Sequence, residues 1–395
     1  MLNVLTLSTL FPDASRPNFG PFVAQQTLGL AALDGVNVRI MAPVGLPPLA
    51  RFHPHYRALA AVPLLEDWHG CKVYRPRFLH LPGTRGRYDA AAIARAVLPS
   101  LQQLRRDFAF DVIDASFFFP DGPAAVALGQ ELGVPVSIKA RGGDIHLWGA
   151  HSTTQRQIVD AGQRADGLLA VSAALRDDMV AMGMPGDRIT VHYTGINRTI
   201  FHVRDRAVAK QALGLETAPL IATIGALIPR KQQDIVLRAL VDLPDAHLVV
   251  IGAGPARDSY VALADQLGIA HRVRFTGSLP LAQIADWLAA ADIMTLASVS
   301  EGLANVWIEA LASGTPIVIP DVGGAAEVLD RPAAGRLVAP TPAAFAAAIA
   351  EILARPPDRA AVAATVDRFG WDVNAVALRE HLAGLVKRYR HDAPR

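Results

Sequence analysis

The order of its secondary structure is the feature that most limits how this chain can fold. Short apolar runs alternate with longer helical stretches along all 395 residues. Parallel strands need a long crossover connection, usually a helix, so this alternation predicts parallel sheets covered by helices on both faces. A single barrel would need eight evenly spaced strand and helix units, which the chain does not show. The sequence therefore predicts an α/β fold built from doubly wound, Rossmann-like halves.

Twelve predicted strands divide equally between the two halves. Those of the first half are Val4–Ser8, Val36–Met41, Val112–Ala115, Val136–Lys139, Gly167–Val171 and Ile189–His192. Those of the second half are Leu220–Ile224, His247–Ile251, Val273–Thr276, Ile293–Leu296, Ile317–Ile319 and Gly335–Val338. Helices such as Ala207–Leu213, Asp234–Val241 and Tyr260–Leu267 lie between them. Each half thus has enough strands for a Rossmann-like domain of its own.

A polar stretch after the sixth strand, Phe201–Arg206, predicts the domain boundary. Residues 1–205 then form the first domain and residues 206–370 the second. The break at Phe369–Asp372 predicts a last helix near 374–390, within a segment 371–395 that crosses back to the first domain. We expect the two domains to face each other across a cleft.

Composition excludes several classes of protein. Half of the residues are apolar and 19% are charged, which excludes a disordered chain. A formal net charge of +2 is too balanced for a nucleic-acid binder held by phosphate neutralisation. The one cysteine, Cys71, cannot form an intramolecular disulfide, and the apolar start Val4–Leu10 lacks a basic leader. With no apolar stretch of about 20 residues, the sequence predicts a cytoplasmic protein.

Two carboxylates in the segment Ser300–Pro316 point to a ligand site. Glu301 lies in a loop after a predicted strand, and Leu303–Leu311 is predicted as a helix whose free N–H groups face the strand ends. A helix start there attracts phosphates and sugar hydroxyls. Glu309 is about two turns from Glu301, so both can project to one side and bind hydroxyls. Alternatively, Ser300 caps the helix and both glutamates are solvated.

This segment, continued through Gly323–Glu327, closely resembles the signature of the retaining nucleotide-sugar glycosyltransferases of family four, which have the GT-B fold. The resemblance extends over nearly the whole chain. It implies a nucleotide-diphosphate sugar as co-substrate, with no further cofactor and no metal. It also implies that Glu309 holds the nucleotide ribose and that Glu301 contacts the donor sugar. The backbone expected to meet the sugar and diphosphate is that of Gly302, Leu303, Ala304 and Asn305.

A second block of the family is Thr223–Asp234, a strand that leads into a helix with two cations at the turn. Arg230 and Lys231 are candidates to neutralise the departing diphosphate, on which negative charge accumulates. The family usually has arginine directly after the glycine and glycine after the lysine, whereas this chain has Ala226 and Gln232. Arg230 either replaces the missing arginine or is a solvated loop residue.

Two further stretches match donor-binding parts of the family. Gly277 and Ser278 end the segment Val273–Leu279, whose backbone reads the nucleotide base in family members. A turn glycine is the alternative. Gly20, in the loop that opens the first helix, matches a glycine beside the donor diphosphate, although loop flexibility also accounts for it.

The acceptor side is expected after the fourth strand, at Arg141, Gly142 and Asp144. The resemblance implies that Asp144 orients or deprotonates the acceptor hydroxyl and that Arg141 meets an acceptor phosphate. Asp144 can equally cap the helix that follows. His146 has no cysteine or carboxylate pair at ligand spacing and is interpreted as a polar loop residue, not a metal ligand.

A mixed basic and apolar patch in the first domain predicts contact with an anionic membrane or a lipid diphosphate. A solvated charged face is the alternative. The patch consists of Lys72, Arg75, Arg77, Arg85 and Arg87 around Tyr74, Phe78, Leu79 and Leu81.

These features together predict sugar transfer with retention at the anomeric carbon, by a front-face mechanism. The departing phosphate would accept the acceptor's proton, while Lys231, Arg230 and the helix start at Leu303 stabilise its charge. By family analogy the acceptor is a glycan, expected to be lipid-linked, in lipopolysaccharide, exopolysaccharide or other surface polysaccharide assembly at the inner face of the membrane. The alternatives are a sugar-nucleotide epimerase and a non-catalytic nucleotide-binding scaffold.

Overall fold

The computed structural model describes residues 1–17, 19–215 and 218–392. The chain divides into two compact units, one of residues 1–195 with the segment from Trp371 onward, the other of residues 196–370. The boundary therefore lies before the predicted one at residue 205. The polar stretch belongs to the second unit because two of its arginines form ion pairs there, Arg204 with Asp286 and Arg206 with Asp292.

The described residues form sixteen strands and sixteen α-helices. The strands are β1 Leu2–Leu7, β2 Val36–Met41, β3 Val44–Leu46, β4 Leu65–Trp68, β5 Cys71–Tyr74, β6 Arg77–Leu79, β7 Val112–Ala115, β8 Val136–Ala140, β9 Gly167–Ala170, β10 Ile189–Val191, β11 Leu220–Ile224, β12 His247–Ile251, β13 Val273–Gly277, β14 Ile293–Thr295, β15 Ile317–Ile319 and β16 Gly335–Leu337.

The helices alternate with these strands, as expected. They are α1 Pro21–Ala31, α2 Pro54–Ala61, α3 Asp89–Leu104, α4 Asp121–Leu132, α5 Gly143–His146, α6 Ser152–Arg164, α7 Ala173–Ala181, α8 Arg206–Ala212, α9 Gln233–Ala239, α10 Arg257–Gln266, α11 Leu281–Ala290, α12 Asn305–Ala312, α13 Ala325–Val328, α14 Pro342–Ala354, α15 Arg359–Ala364 and α16 Trp371–Asp392.

The first unit is a Rossmann-like domain around a sheet in the order β10-β9-β8-β7-β1-β2-β5-β4. All six strands predicted for this half are present, but β3 to β6 were not predicted. These four strands have only three or four residues, and in β4, β5 and β6 exposed positions interrupt the apolar pattern. β4 runs antiparallel to β5, and β3 pairs with β6 in a separate two-stranded sheet.

The second unit is a Rossmann-like domain around a parallel sheet in the order β13-β12-β11-β14-β15-β16. Its strands match the six predicted ones to within one residue at each end. For β11, β12, β14 and β15 the agreement follows from burial on both faces, which makes a parallel strand a continuous apolar run that is easy to locate. The order reverses between β11 and β14, and the carboxyl ends of these two strands mark the switch point where ligands bind in such sheets.

The C-terminal helix α16 belongs to the first domain. It packs against α1, where Gly29 lies against Ala375, and its residues Leu378 and Leu382 are fully buried in the core that contains Val4. The Asn374 side chain donates to the Tyr193 carbonyl at 2.6 Å. The first domain is therefore built from both ends of the chain.

Removing buried surface from α16 should destabilise the first domain. We expect Leu382→Ala to lower the free energy of unfolding by about 3 kcal/mol, through lost burial and the cavity left behind. The matched control Val373→Ala, on the same helix but 52% exposed, should change it by less than about 0.5 kcal/mol. Urea unfolding followed by circular dichroism measures both, and equal effects would contradict this packing.

Candidate active site

The two predicted cations and the first glutamate meet at the switch point of the second domain. Lys231 lies in a 3-10 turn, Pro229–Lys231, that follows β11, and Glu301 lies in the loop after β14. The Lys231 Nζ donates to Glu301 Oε1 in a partly buried ion pair. Burial lowers the pKa of Lys231, and the Glu301 carboxylate acts in the opposite direction.

Arg230 extends beside this pair. Its Nη1 donates to the Ser300 carbonyl and lies 3.7 Å from Glu301 Oε2, while 42% of its side chain is exposed. The guanidinium therefore does not simply point into solvent. It adds a second positive charge to the one that Lys231 brings.

The backbone holds the two loops together. The Val299 N–H donates to the Arg230 carbonyl at 2.9 Å, and the Gly324 N–H donates to the Gly302 carbonyl at 2.8 Å. Gly323 has a φ of 52°, and a Cβ there would lie 2.0 Å from the Glu301 carbonyl oxygen. Only glycine fits at this position, so Gly323 is explained by its close approach to the Glu301 loop.

Helix α12 begins at Asn305, two residues later than predicted, with Ala304 as its N-cap. Ser300 is consequently not the cap, and Glu301 lies in the loop before the helix, not two turns from Glu309 along it. The N–H groups of Leu303, Ala304 and Asn305 have no acceptor among the described residues. They form a short row of free donors suited to an anion.

Glu309 projects from α12 without a hydrogen-bond donor among the residues that the structure describes. Burial raises the pKa of its carboxyl group to about 7. An unpaired, half-buried carboxyl group is costly unless a ligand supplies donors. The hydroxyls of a ribose would do so.

The two departures from the family pattern have distinct structural settings. Gln232 has a left-handed φ of 46°, a conformation that the family's glycine adopts without a Cβ penalty. The Ala226 carbonyl accepts from Gln233 Nε2 at 3.0 Å, and its methyl side chain carries no charge. The positive charge beside Glu301 therefore comes from positions 230 and 231.

The residues predicted to read the base and the diphosphate lie at the end of β13 and at the start of α1. Gly277 ends β13 with a φ of 74°, a Cβ there would meet no atom within 4 Å, and the exposed Ser278 follows it. Gly20 has a φ of 68°, and a Cβ there would lie 2.4 Å from the Leu10 carbonyl oxygen. Close packing thus requires glycine at position 20, whatever ligand it meets.

Asp144, predicted to orient or deprotonate the acceptor hydroxyl, is engaged by the backbone of its own domain. Its side chain is fully buried. Its oxygens accept from the backbone N–H groups of Phe118 at 2.8 Å and Arg141 at 2.9 Å. The N-cap of α5 is Gly142, so Asp144 is not the capping residue either. Its role is to fasten the loops after β7 and β8 to each other.

Arg141 is positioned by a buried polar network that sequence reasoning missed. Its Nε donates to the Ser116 carbonyl at 2.6 Å and its Nη2 to Gln26 Oε1 at 3.2 Å. Lys139 Nζ donates to the same Gln26 oxygen at 2.8 Å. Burial lowers the pKa of Arg141 to about 10. The guanidinium is only partly exposed, and it remains a candidate to meet an acceptor phosphate.

A neutral histidine completes this network. His192 Nε2 lies 2.9 Å from the Asn374 carbonyl, which can only accept, so Nε2 carries the proton. Its Nδ1 is then an acceptor for Lys139 Nζ at 2.6 Å. Burial lowers the pKa of both groups well below their usual values. Lys139 ends the fourth predicted strand. Its position at the carboxyl end of a buried strand was the only feature of the sequence that pointed to its place in this network.

The basic patch predicted for membrane contact is not a continuous exposed surface. Arg75 is 1% exposed, because its guanidinium binds Glu66 and the Pro12 carbonyl. Arg77 is partly buried and donates to the Arg75 carbonyl at 3.0 Å. Lys72, Arg85 and Arg87 are exposed, whereas Phe78 is buried.

Another surface combines exposed apolar and basic side chains. Leu49 and Phe52, just before α2, are 70% and 67% exposed, and Arg51 and Arg57 are exposed beside them. We call these four residues the α2 surface. Within the described residues no helix is long and apolar enough to cross a membrane, and no group of three or more His, Cys, Asp or Glu side chains is arranged to hold a metal ion.

Comparison with known proteins assigns both domains. The family described as "Glycosyltransferase Family 4" matches residues 22–199, and the family described as "Glycosyl transferases group 1" matches residues 205–367. The putative teichuronic acid biosynthesis glycosyltransferase TuaC of Bacillus subtilis is 30% identical over 344 residues, which are 84% of each chain. A D-inositol 3-phosphate glycosyltransferase of Thermobispora bispora is 33% identical over 61% of this chain and 60% of that protein.

Solved structures agree on the fold. The sucrose-phosphate synthase of Thermosynechococcus elongatus superposes with a TM-score of 0.82 at 19% identity, covering 98% of this chain and all of that one. HepE of Anabaena, solved in complex with UDP, gives a TM-score of 0.75 at 19% identity, covering 97% of this chain and all of that one. The sequence match over most of TuaC and the agreement of both domains lead to one conclusion: this chain is a glycosyltransferase of family four with the GT-B fold.

Proposed function

We propose that the second domain binds a nucleotide-diphosphate sugar and that the enzyme transfers its sugar, with retention, to a glycan acceptor bound by the first domain. The observation that carries this proposal is the meeting of Lys231, Arg230 and Glu301 beside the free N–H groups of residues 303–305. Two cations and a row of donors are suited to a departing diphosphate. HepE, a neighbour in fold, is solved with UDP and with UDP-glucose, which makes uridine nucleotides the first to test.

The reaction proposed is a front-face displacement. The bond between the anomeric carbon and the diphosphate oxygen breaks, and the acceptor oxygen bonds to that carbon on the same face. The acceptor's proton passes to the departing phosphate oxygen. Lys231 and Arg230 stabilise the charge on that phosphate, so the positive charge needed comes from the chain itself. The hydrogen bonds of Asp144 to backbone N–H groups support this route, because they engage the carboxylate that the sequence offered as a base for the acceptor.

Glu301 has two tasks in this proposal. In the ligand-free site it neutralises Lys231 and keeps the ammonium in a half-buried position, where its field acts through little water. When the donor binds, the diphosphate competes for Lys231 and frees carboxylate oxygens for the sugar hydroxyls. Glu309 accepts hydrogen bonds from the ribose.

The setting proposed is assembly of a surface polysaccharide on a lipid-linked acceptor at the cytoplasmic face of the membrane. TuaC is named for teichuronic acid biosynthesis, and this supports a surface glycan as the product. The α2 surface supports contact with an anionic bilayer, since two large apolar side chains can enter the interface while two arginines meet lipid phosphates.

Lys231→Ala should lower the rate of nucleotide release from the donor by about 100- to 1,000-fold, because the leaving phosphate loses its nearest cation. A lipid extract supplies the acceptor, and released nucleoside diphosphate is measured. Arg230→Ala, whose side chain is more exposed, should have a smaller effect, of about tenfold. The control Arg238→Ala removes an exposed arginine of α9 and should leave the rate unchanged. A Lys231→Ala enzyme as fast as the wild type would contradict the proposal.

Glu309 should make stability and donor binding respond to pH in opposite directions. Its raised pKa means that the folded state favours the protonated form, so the wild type loses stability as pH rises from about 4.5 to about 7. Glu309→Gln should therefore melt at a higher temperature than the wild type at pH 8 and at the same temperature near pH 4.5.

The affinity for UDP-glucose should instead increase as pH rises. A ligand that donates ribose hydroxyls needs the carboxylate, so the wild-type Kd should fall from pH 6 to pH 8. UDP-glucose carries no phosphate monoester that titrates in this range, which leaves the protein as the source of any change. Glu309→Gln should bind weakly with no pH dependence, and calorimetry that found the same slope in both proteins would exclude this role.

The α2 surface should bind vesicles that contain phosphatidylglycerol. We expect Leu49→Ser with Phe52→Ser to reduce co-sedimentation at least about tenfold, because two buried apolar side chains are lost from the interface. Val208→Ser, at a 63% exposed position of the second domain, is the control. Equal binding by both variants would show that the protein does not reach the membrane through α2.

A further inference from the structure

A small pocket in the first domain has the position expected of a ligand site. Its volume is about 210 Å³, and Thr9 and Pro120 lie on its wall. Thr9 follows β1 and Pro120 follows β7, and these strands are neighbours at the point where the order of this sheet reverses. Ligands of open α/β sheets bind at this edge. None of the residues assigned above to donor or acceptor lines this pocket.

One wall of the pocket carries a fixed arginine. Arg16 donates from Nε and Nη2 to Asp13 Oδ2, at 3.0 and 2.7 Å. Asp13 is fully buried, and hydrogen bonds from Ser15 together with the Arg16 pairing hold the pKa of its carboxyl group below the usual value. The Arg16 Nη1 has no partner among the residues that the structure describes. The guanidinium thus presents a free edge of defined orientation, the arrangement that suits a carboxylate or phosphate.

The pocket is also lined by a buried carboxylate. Asp89, in the first turn of α3, is 7% exposed, and its two oxygens lie 3.1 and 3.2 Å from His80 Nδ1. The imidazole holds the carboxylate in place and leaves lone pairs on both oxygens for other donors. Sugar hydroxyls are donors of this kind.

The third element is an aromatic side chain. The Phe19 ring lies 4.2 Å from the Arg16 guanidinium carbon and is 36% exposed. A few polar groups placed around an apolar surface are typical of sites for small ligands. Phe19 also adjoins Gly20, which the family resemblance places beside the donor diphosphate.

We propose that this pocket holds the reacting sugar unit of the acceptor, with Arg16 bound to an anionic substituent and Asp89 accepting hydrogen bonds from hydroxyls. The ligand class is a monosaccharide unit that carries a carboxylate or a phosphate. The inference rests on the proposed function, since an acceptor site requires an activated donor. Helix α2 supports the placement, because its buried Leu59 lines the pocket while the α2 surface beside it is exposed. A lipid anchor at that surface would leave the sugar within reach of the pocket.

The experiment measures binding of glucuronate, glucose 6-phosphate and glucose by calorimetry. We expect at least one of the two anionic sugars to bind the wild type at least about tenfold more tightly than glucose does, and the tighter of the two identifies the anion. Arg16→Gln should abolish this preference and leave glucose binding unchanged. The control Arg95→Gln, at an exposed position of α3, should behave as the wild type.

Asp89→Asn tests whether Asp89 accepts hydrogen bonds from the sugar hydroxyls. It should weaken all three sugars by about tenfold, because an amide replaces one of the two accepting oxygens with a donor. Asp107→Asn, at an exposed position after α3, is its control. Arg16→Gln leaves the buried Asp13 without its positively charged partner, so Arg16→Lys is measured as well, and it should keep part of the anion preference. Melting temperatures show that each variant is folded.

Binding of UDP to the same proteins separates the two proposals. If UDP, GDP and ADP all fail to bind the wild type, the proposed function is wrong. If a nucleotide binds and the anionic sugars show no preference, or bind the Arg16 variants as they bind the wild type, the pocket is not the acceptor site and the proposed function stands.

Discussion

The ion pair between Lys231 and Glu301 is the interaction on which the rest of the site depends. Two charges removed from water cost more than their attraction returns unless geometry and hydrogen bonds are good. Here the backbone supplies that geometry, because the Val299 and Gly324 N–H groups fix the loops that carry both side chains. The protein holds an ammonium where water screens it little, as stabilising a departing diphosphate requires. Gly323 allows its loop to approach the Glu301 loop closely, and the pairing of β14 with β11 brings Glu301 next to Lys231.

The first domain uses buried charge differently. Asp144 and Lys139 form hydrogen bonds within the domain and hold the loops at the carboxyl edge of its sheet. Burial raises the pKa of Asp121 to about 7 and that of Asp114 to about 6, which disfavours the charged form of both carboxyl groups. The groups left to meet a ligand are therefore few. Arg141 is partly exposed, and Arg16 and Asp89 line a pocket of their own.

Much of the fold could be predicted from the sequence, because doubly buried parallel strands are continuous apolar runs. The strands β3 to β6 escaped prediction, since their short, half-exposed segments lack that signal. The sequence predicted which residues form the candidate donor site, but it did not predict which of them contact one another. Glu301 and Lys231 are 70 residues apart, and only the sheet order brings them together. The burial of Arg75 and Asp144 depends on partners distant in the chain or on backbone groups, which residue type alone does not reveal.

The most direct test of this account is the melting temperature of the purified protein with UDP, GDP, ADP and their common sugars. A ligand that binds only the folded state stabilises it by about 2.7 kcal/mol at 100 times its Kd. If the switch point of the second domain binds the donor, one nucleotide should raise the melting temperature of the wild type, and Lys231→Ala should reduce this shift. A wild type whose melting temperature no nucleotide changes would contradict the central claim that the switch point of the second domain is a donor site.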